Sequence, residues 1–112
     1  EGHNPVPIAK EFIENPQVTE LKKGGFLAVF DSFGDQEIAY SISDNGINWS
    51  PEVRIKVQSA RNLWAGAGDH ALRTPLCAIE EDDGTFTIIY TALMKLDGKR
   101  FYAIGKSTLA WE

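Results

Sequence analysis

Short apolar runs, each closed by glycine, aspartate or asparagine, set the rhythm of this chain. Gln17–Leu21, Phe26–Phe30 and Ile38–Tyr40 are followed, after a long polar and glycine-bearing stretch, by Leu76–Glu80, Phe86–Tyr90 and Tyr102–Ile104. β-branched and aromatic residues cluster inside these runs, and turn formers such as Lys23-Gly24-Gly25 and Asp82-Asp83-Gly84 separate them. That alternation predicts strands of about five to seven residues joined by tight turns. Helical patterning is confined to Pro7–Ile13, one turn at most, which Asn15-Pro16 would end.

The runs also repeat at a spacing of roughly 60 residues. Asn15-Pro16 to Trp49 is matched, in the same order, by Thr74-Pro75 to Trp111. Pro-led Gln17–Leu21 pairs with Leu76–Glu80, and Lys23-Gly24-Gly25 with Asp82-Asp83-Gly84. Phe26–Phe30 pairs with Phe86–Tyr90, Ile38-Ala39-Tyr40 with Tyr102-Ala103-Ile104, and Trp49 with Trp111. The expected architecture is all-β: two four-stranded antiparallel meanders, residues 14–58 and 70–112, within one partial domain spanning 1–112. Radial repetition of such sheets builds β-propellers. Two sheets cannot close a propeller, and their open apolar faces would favour association. The expectation is therefore a fragment completed by further blades or by another copy of the chain. An independent eight-stranded sandwich is the alternative.

Composition narrows the function classes. Of 112 residues, 43% are hydrophobic and 24% charged, which is globular rather than disordered. The net charge of −5 leaves no basic face for nucleic acid. Phe26–Phe30 and Thr85–Ala92 are too short to cross a bilayer, so no membrane partner is expected. The single cysteine, Cys77, lies in an apolar stretch and reads as a small core residue. It permits no internal disulfide, and no Cys or His spacing suggests a metal; no cofactor is expected. Gly66-x-Gly68 precedes no helical pattern and is not a phosphate loop.

Two resemblances point to sugars. Asp44-x-Gly46-x-x-Trp49, within Tyr40–Pro51, resembles the Asp box of sialidases and related propellers, with Ile42 at the usual serine position. Asp44 would accept turn amides, Gly46 would take a positive φ, and Trp49 would pack on the sheet. In that family the turn joins the third and fourth strands of a blade, away from the active site. Phe12–Ser32 resembles a blade opening in five-bladed glycoside hydrolases of the family 43 type, and Arg73–Thr91 with Ala103-Ile104-Gly105 resembles their final blade. The resemblance implies glycosidic bond hydrolysis, with Glu14, just before Asn15-Pro16, as the proton donor. The family's other carboxylates have no counterpart here, so the chain alone would be inactive. Glycan-degrading enzymes are commonly exported, so a secreted or periplasmic location is compatible with the same likeness, and the lone Cys77 neither supports nor excludes it.

Meander connectivity adds its own expectation. The loop entering strand one and the loop joining strands two and three share an end. Glu14 is thus grouped with Asp31 to Gly34, and His70 and Arg73 with a loop at Met94-Lys95-Leu96. Sugar sites combine charged groups with apolar platforms. Asp31, Trp64, His70 and Arg73 are accordingly the expected substrate-binding residues beside catalytic Glu14. Each also has a plainer reading: Glu14 as a surface loop residue, Asp31 as a turn former, Trp64 as core, His70 as a structural histidine and Arg73 as an ion-pair partner to a neighbouring blade. A carbohydrate-binding module without chemistry, a sialidase using Arg73 for an acidic sugar, and an assembly protein without ligand are the rival functions.

Overall fold

The computed structural model describes residues 2, 6–10, 13–32, 37–55 and 72–111. Among these the chain is all-β, in two antiparallel sheets, with no helix. The first sheet has the order β1 (Ile13–Glu20), β2 (Phe26–Ser32), β3 (Glu37–Ser43) and β4 (Val53–Arg54). The second has β5 (Leu72–Glu80), β6 (Phe86–Leu96) and β7 (Lys99–Leu109). Where a helical turn was expected over Pro7–Ile13, Ile8 and Lys10 are bends and Ile13 opens β1. Among the described residues the second meander has three strands, where four were expected. Met94–Leu96 are not a loop, because β6 runs on through them and the hairpin turns at Asp97-Gly98, both with positive φ.

The two sheets share one register. Glu20 opposes Phe26 and Val18 opposes Ala28; sixty residues on, Glu80 opposes Phe86 and Ala78 opposes Ile88. The first hairpins carry the same bonds: Leu21 N–H donates to Gly25 O and Glu81 N–H to Thr85 O, while Gly24 and Gly84 donate to Leu21 O and Glu81 O. Bulges interrupt β1 between Glu14 and Gln17, and β5 around Pro75. Proline lacks a ladder donor, so Pro16 and Pro75 sit where the sheet tolerates them, on edge strands at bulges.

This register corrects the sequence alignment. Gly24, not Gly25, is equivalent to Gly84, and between the matched positions Ile13 and Leu72 on one side and Gln17 and Cys77 on the other β5 carries one more residue than β1, so Pro16 and Pro75 lie in unequal bulges. Ile38-Ala39-Tyr40, opposite Asp31 to Val29, corresponds to Ile104-Gly105-Lys106, opposite Thr91 to Ile89. The earlier match was two residues short because β7 is longer than β3 and runs past it. Trp49 and Trp111 are not equivalent: Trp49 covers the outer face of the first sheet, and Trp111 meets Tyr40 and Phe86 edge-on between the sheets.

Strand alternation decides what is buried. Leu27, Val29 and Ile38 point from the first sheet toward the second, where Ala78, Phe86, Ile88 and Tyr90 meet them. Ala28, Phe30 and Ala39 point the other way and are closed over by Ile8, Ala9, Ile13 and Trp49. β5 lies across β1, β2 and β3. Thr19 Oγ1 donates to Ala78 O at 2.8 Å, and Lys22 N–H to Glu80 Oε2 at 2.6 Å, tying the sheets along that seam. Cys77 falls on the far side of β5 and is half-buried, so it is not a core residue as its apolar neighbours suggested.

Candidate functional site

The bulge in β1 brings polar residues of the two sheets together. Asn15 adopts φ 51°, a left-handed conformation that asparagine tolerates better than most residues. Two residues are thereby fitted opposite one, and Glu14 comes to lie directly across the ladder from Asp31. The Asn15 side chain reaches over the same ladder and donates to Asp31 Oδ2 at 3.1 Å.

The second sheet contributes from its equivalent strand. Thr74 Oγ1 donates to the same Asp31 Oδ2 at 3.3 Å, while the Thr74 N–H donates to Thr91 Oγ1 at 3.1 Å. Thr91 stands at the repeat position of Asp31, and Thr74 lies in the bulged stretch of β5 between Leu72 and Pro75. One carboxylate therefore receives donors from both sheets. Asp31 and Thr74 are partly buried, whereas Glu14 and Asn15 are exposed. Directed donors of this kind hold a carboxylate in one orientation.

Of the expected site residues, the structure brings Glu14 and Asp31 together as cross-strand partners. Arg73 lies on β5 beside Thr74 and is described by its backbone alone. Trp64 and His70 lie outside the described residues, as do positions 33–36 and the glycine-rich stretch at 66–68. Asn15, Thr74 and Thr91 were not singled out from sequence. The repeat in its correct register points to Thr91, at the place of Asp31; Asn15 and Thr74 act through contacts that the repeat does not mark.

The Asp-box-like turn joins β3 to β4 at the opposite end of the strands from Glu14 and Asp31. Gly46 has φ 72°, and the Trp49 indole donates to Gly46 O at 3.3 Å while packing on the sheet. The acceptors differ from expectation. Ser43 Oγ takes the Gly46 N–H at 2.9 Å, and Asn45 Oδ1 takes the Ile47 and Asn48 N–H groups at 2.9 Å each. Asp44 is exposed and accepts none of these amides. The loop is closed by Ser43 and Asn45, the residues on either side of the aspartate.

Between the sheets at that end lies a groove of about 500 Å³, lined by Tyr40, Arg54, Ile55, Phe86, Leu109 and Trp111 among others. The Trp111 ring stands edge-on to Tyr40 at 5.4 Å and to Phe86 at 5.6 Å, an ordinary favourable packing of aromatic rings. Its lining is the outer margin of the inter-sheet core. Among the described residues no group of three or more His, Cys, Asp or Glu is disposed to hold a metal ion. Comparisons with family models, with characterised proteins and with solved structures found no match to this chain.

Proposed function

We propose that this chain forms part of a carbohydrate-active enzyme, a glycoside hydrolase of the propeller type, with its sugar-directed site where the entry segments of the two sheets meet. The observation that carries the reading is the shared carboxylate: Asp31 is held by Asn15 from its own sheet and by Thr74 from the other, across the ladder from Glu14. Glycosidic hydrolysis employs a carboxylic acid that protonates the leaving oxygen, together with a second carboxylate. Glu14 is the proposed proton donor, and Asp31 the group that accepts from a sugar hydroxyl. The two sheets are read as adjacent blades, with a further carboxylate supplied by the rest of the propeller. The stacking of β5 across the first sheet, in a register repeated from sheet to sheet, supports that reading.

The test uses the complete protein. Glu14→Gln is expected to lower hydrolysis of a substrate with a poor leaving group by about a hundredfold or more, the usual contribution of a positioned acid. Hydrolysis that survives within a few fold removes Glu14 from the mechanism. One observation favours a second reading, a carbohydrate-binding module without chemistry: Glu14 is exposed, whereas the partly buried Asp31 is the group held in place. Glycan binding by the wild type that is lost in Asp31→Asn, with no turnover in either protein, would establish that alternative.

A further inference from the structure

The turn between β3 and β4 holds the only asparagine in the chain that precedes a glycine, Asn45-Gly46. Asn4 and Asn15 precede prolines, whose nitrogens carry no proton, and Asn48 and Asn62 precede Trp49 and Leu63, whose side chains crowd the amide that follows each asparagine. Glycine has no Cβ and leaves its nitrogen open. Such a pair can lose the asparagine amide without an enzyme. The Gly46 nitrogen gives its proton to solvent and bonds to Asn45 Cγ. The bond from Cγ to Nδ2 breaks, and Nδ2 takes up a proton and leaves as ammonia. Water then opens the cyclic imide. Addition at Cγ gives aspartate in an unchanged main chain, whereas addition at the main-chain carbonyl gives isoaspartate, which lengthens the main chain by a methylene.

The turn engages the groups that this reaction has to free. Gly46 N–H donates to Ser43 Oγ at 2.9 Å, so the proton that must leave is held by a buried serine. Asn45 Oδ1 accepts the Ile47 and Asn48 N–H groups at 2.9 Å each and the Ser43 hydroxyl at 3.3 Å. The carboxamide is thereby fixed toward residues 47 and 48, and it must give up these bonds to swing onto the nitrogen of Gly46. Each bond is modest in net strength, but all of them have to open together. Asn45 is itself exposed, so solvent reaches the amide as soon as the turn lets it go.

The two products differ in what they do to the turn. Aspartate keeps the accepting oxygen and adds charge, and an N–H bonds a carboxylate more strongly than an amide oxygen. The neighbouring Asp44 is exposed, so repulsion between the two carboxylates is screened. Isoaspartate displaces Gly46, whose carbonyl accepts the Trp49 indole N–H at 3.3 Å, and so loosens the ring that lies over Ala28, Phe30 and Ala39. We propose that Asn45 is a self-modifying site that the turn keeps latent: opening of the turn lets the Gly46 nitrogen displace the Asn45 amide, and the aspartate so formed closes the turn more tightly than the asparagine it replaces. The proposal uses neither Glu14 nor Asp31, at the other end of the strands, and stands apart from the sugar reading.

Mass spectrometry of tryptic fragments from the 112-residue chain, incubated in mildly alkaline buffer with and without urea, tests it. Asn48 lies in the same fragment as Asn45 and serves as the internal reference. Amide loss at Asn45 should be slower in the native chain than in the unfolded one by about tenfold or more, with Asn48 intact in both. Ser43→Ala removes the acceptor of the Gly46 N–H and should speed the loss in the native chain by about fivefold, with an unaltered circular dichroism spectrum. Gly46→Ala, measured in urea where folding does not enter, should slow it several-fold. Asn45→Asp, which stands for the product, should unfold at a higher urea concentration than wild type. Equal rates in the native and unfolded chains, or a folded Ser43→Ala that reacts no faster than wild type, overturn the control by the turn. An Asn45 that stays intact in both conditions overturns the site, and loss unslowed by Gly46→Ala overturns the route through the Gly46 nitrogen. An Asn45→Asp chain that unfolds earlier than wild type overturns the tightening.

Discussion

Ile38 and Ile104 hold the same place in two sheets built to one register, yet one is sealed in the core and the other stands in solvent. The same contrast holds down the strand. Leu27 and Val29 are buried under the second sheet, while Ile89, at the position of Val29, is only half-covered. Residue type and strand pattern do not separate these positions. The neighbouring sheet does. Burial in a stacked sheet protein belongs to the interface between layers, and a repeat shows this because it supplies its own control.

The largest effect should come from breaking that control at both positions. Ile38→Ala removes a side chain enclosed by both sheets and is expected to cost about 2–5 kcal/mol of stability. Ile104→Ala, assayed at a protein concentration below any self-association, is expected to stay within about 0.5 kcal/mol. Urea titrations of the two variants under identical conditions measure the difference. Similar losses would mean that Ile104 is covered in solution and that the asymmetry between the sheets is not real.

A second comparison exchanges residues between the sheets. The first hairpin ends in Gly25, with φ +84°, where a Cβ would sit 2.8 Å from Ser43 O. The second sheet has Thr85 at the equivalent place. Gly25→Thr, which writes the second hairpin into the first, should cost about 1–3 kcal/mol for the left-handed backbone alone, with the carbonyl contact adding to it. In the other direction, Gly105 lies under the buried Tyr90 ring, where a Cβ would meet Cε2 at 2.6 Å. Its equivalent is Ala39, opposite Phe30. Gly105→Ala should cost about 1–3 kcal/mol, because the ring is pinned in the core near Ser107 and has to shift. Thermal or urea unfolding of both variants reads the result, and a neutral outcome in either means that local backbone movement absorbs the swap.

These contrasts show which parts of the fold were legible in the residues. Phe26–Phe30 and Phe86–Tyr90 announced their strands through β-branched and aromatic content, and both form the central part of a sheet or its buried face. The turns were legible through Gly24 and Gly84, which need positive φ. Register was not. Prolines drew the eye to Pro16 and Pro75 as equivalents, but each lies in a bulge, where one extra residue shifts the alignment. The length of β6 and β7 was hidden too, since Met94–Leu96 carries no alternation that separates a strand end from a loop. At the site, Glu14 and Asp31 were grouped correctly, because meander connectivity fixes which ends coincide. Asn15 and Thr74 were missed because their role depends on contact between sheets, which no local pattern encodes. In the turn after β3, Gly46 takes its positive φ and Trp49 packs on the sheet as expected, but Asp44 does not accept the turn amides. A serine and an asparagine beside the aspartate accept the amides with better-placed oxygens.

The smallest expected effect concerns an electrostatic difference between the two first hairpins. Lys22-Lys23 in the first hairpin faces Asp82-Asp83 in the second, and Lys22 Nζ lies 2.7 Å from Asp82 Oδ1. The bond from Lys22 holds the Asp82 carboxyl below its usual range, and the same bond raises the Lys22 ammonium. Asp83 is lowered as well, chiefly by the Thr85 hydroxyl and also by the Thr85 N–H. Carboxyls lowered on folding stabilise the protein above their unfolded range and lose that contribution as the pH falls through about 4 and below. A raised lysine contributes below its unfolded value and loses it as the pH climbs past about 10. Stability should therefore be flat through neutrality and decline at both extremes. Since both partners are open to water, Asp82→Asn at pH 7 should be hard to distinguish from wild type, and added salt should erase what remains. Urea midpoints followed from pH 2 to pH 7 check the acid limb, which should be shallower in Asp82→Asn/Asp83→Asn than in wild type. An unchanged slope would mean that these two hairpins touch in the fold without being electrostatically linked in solution.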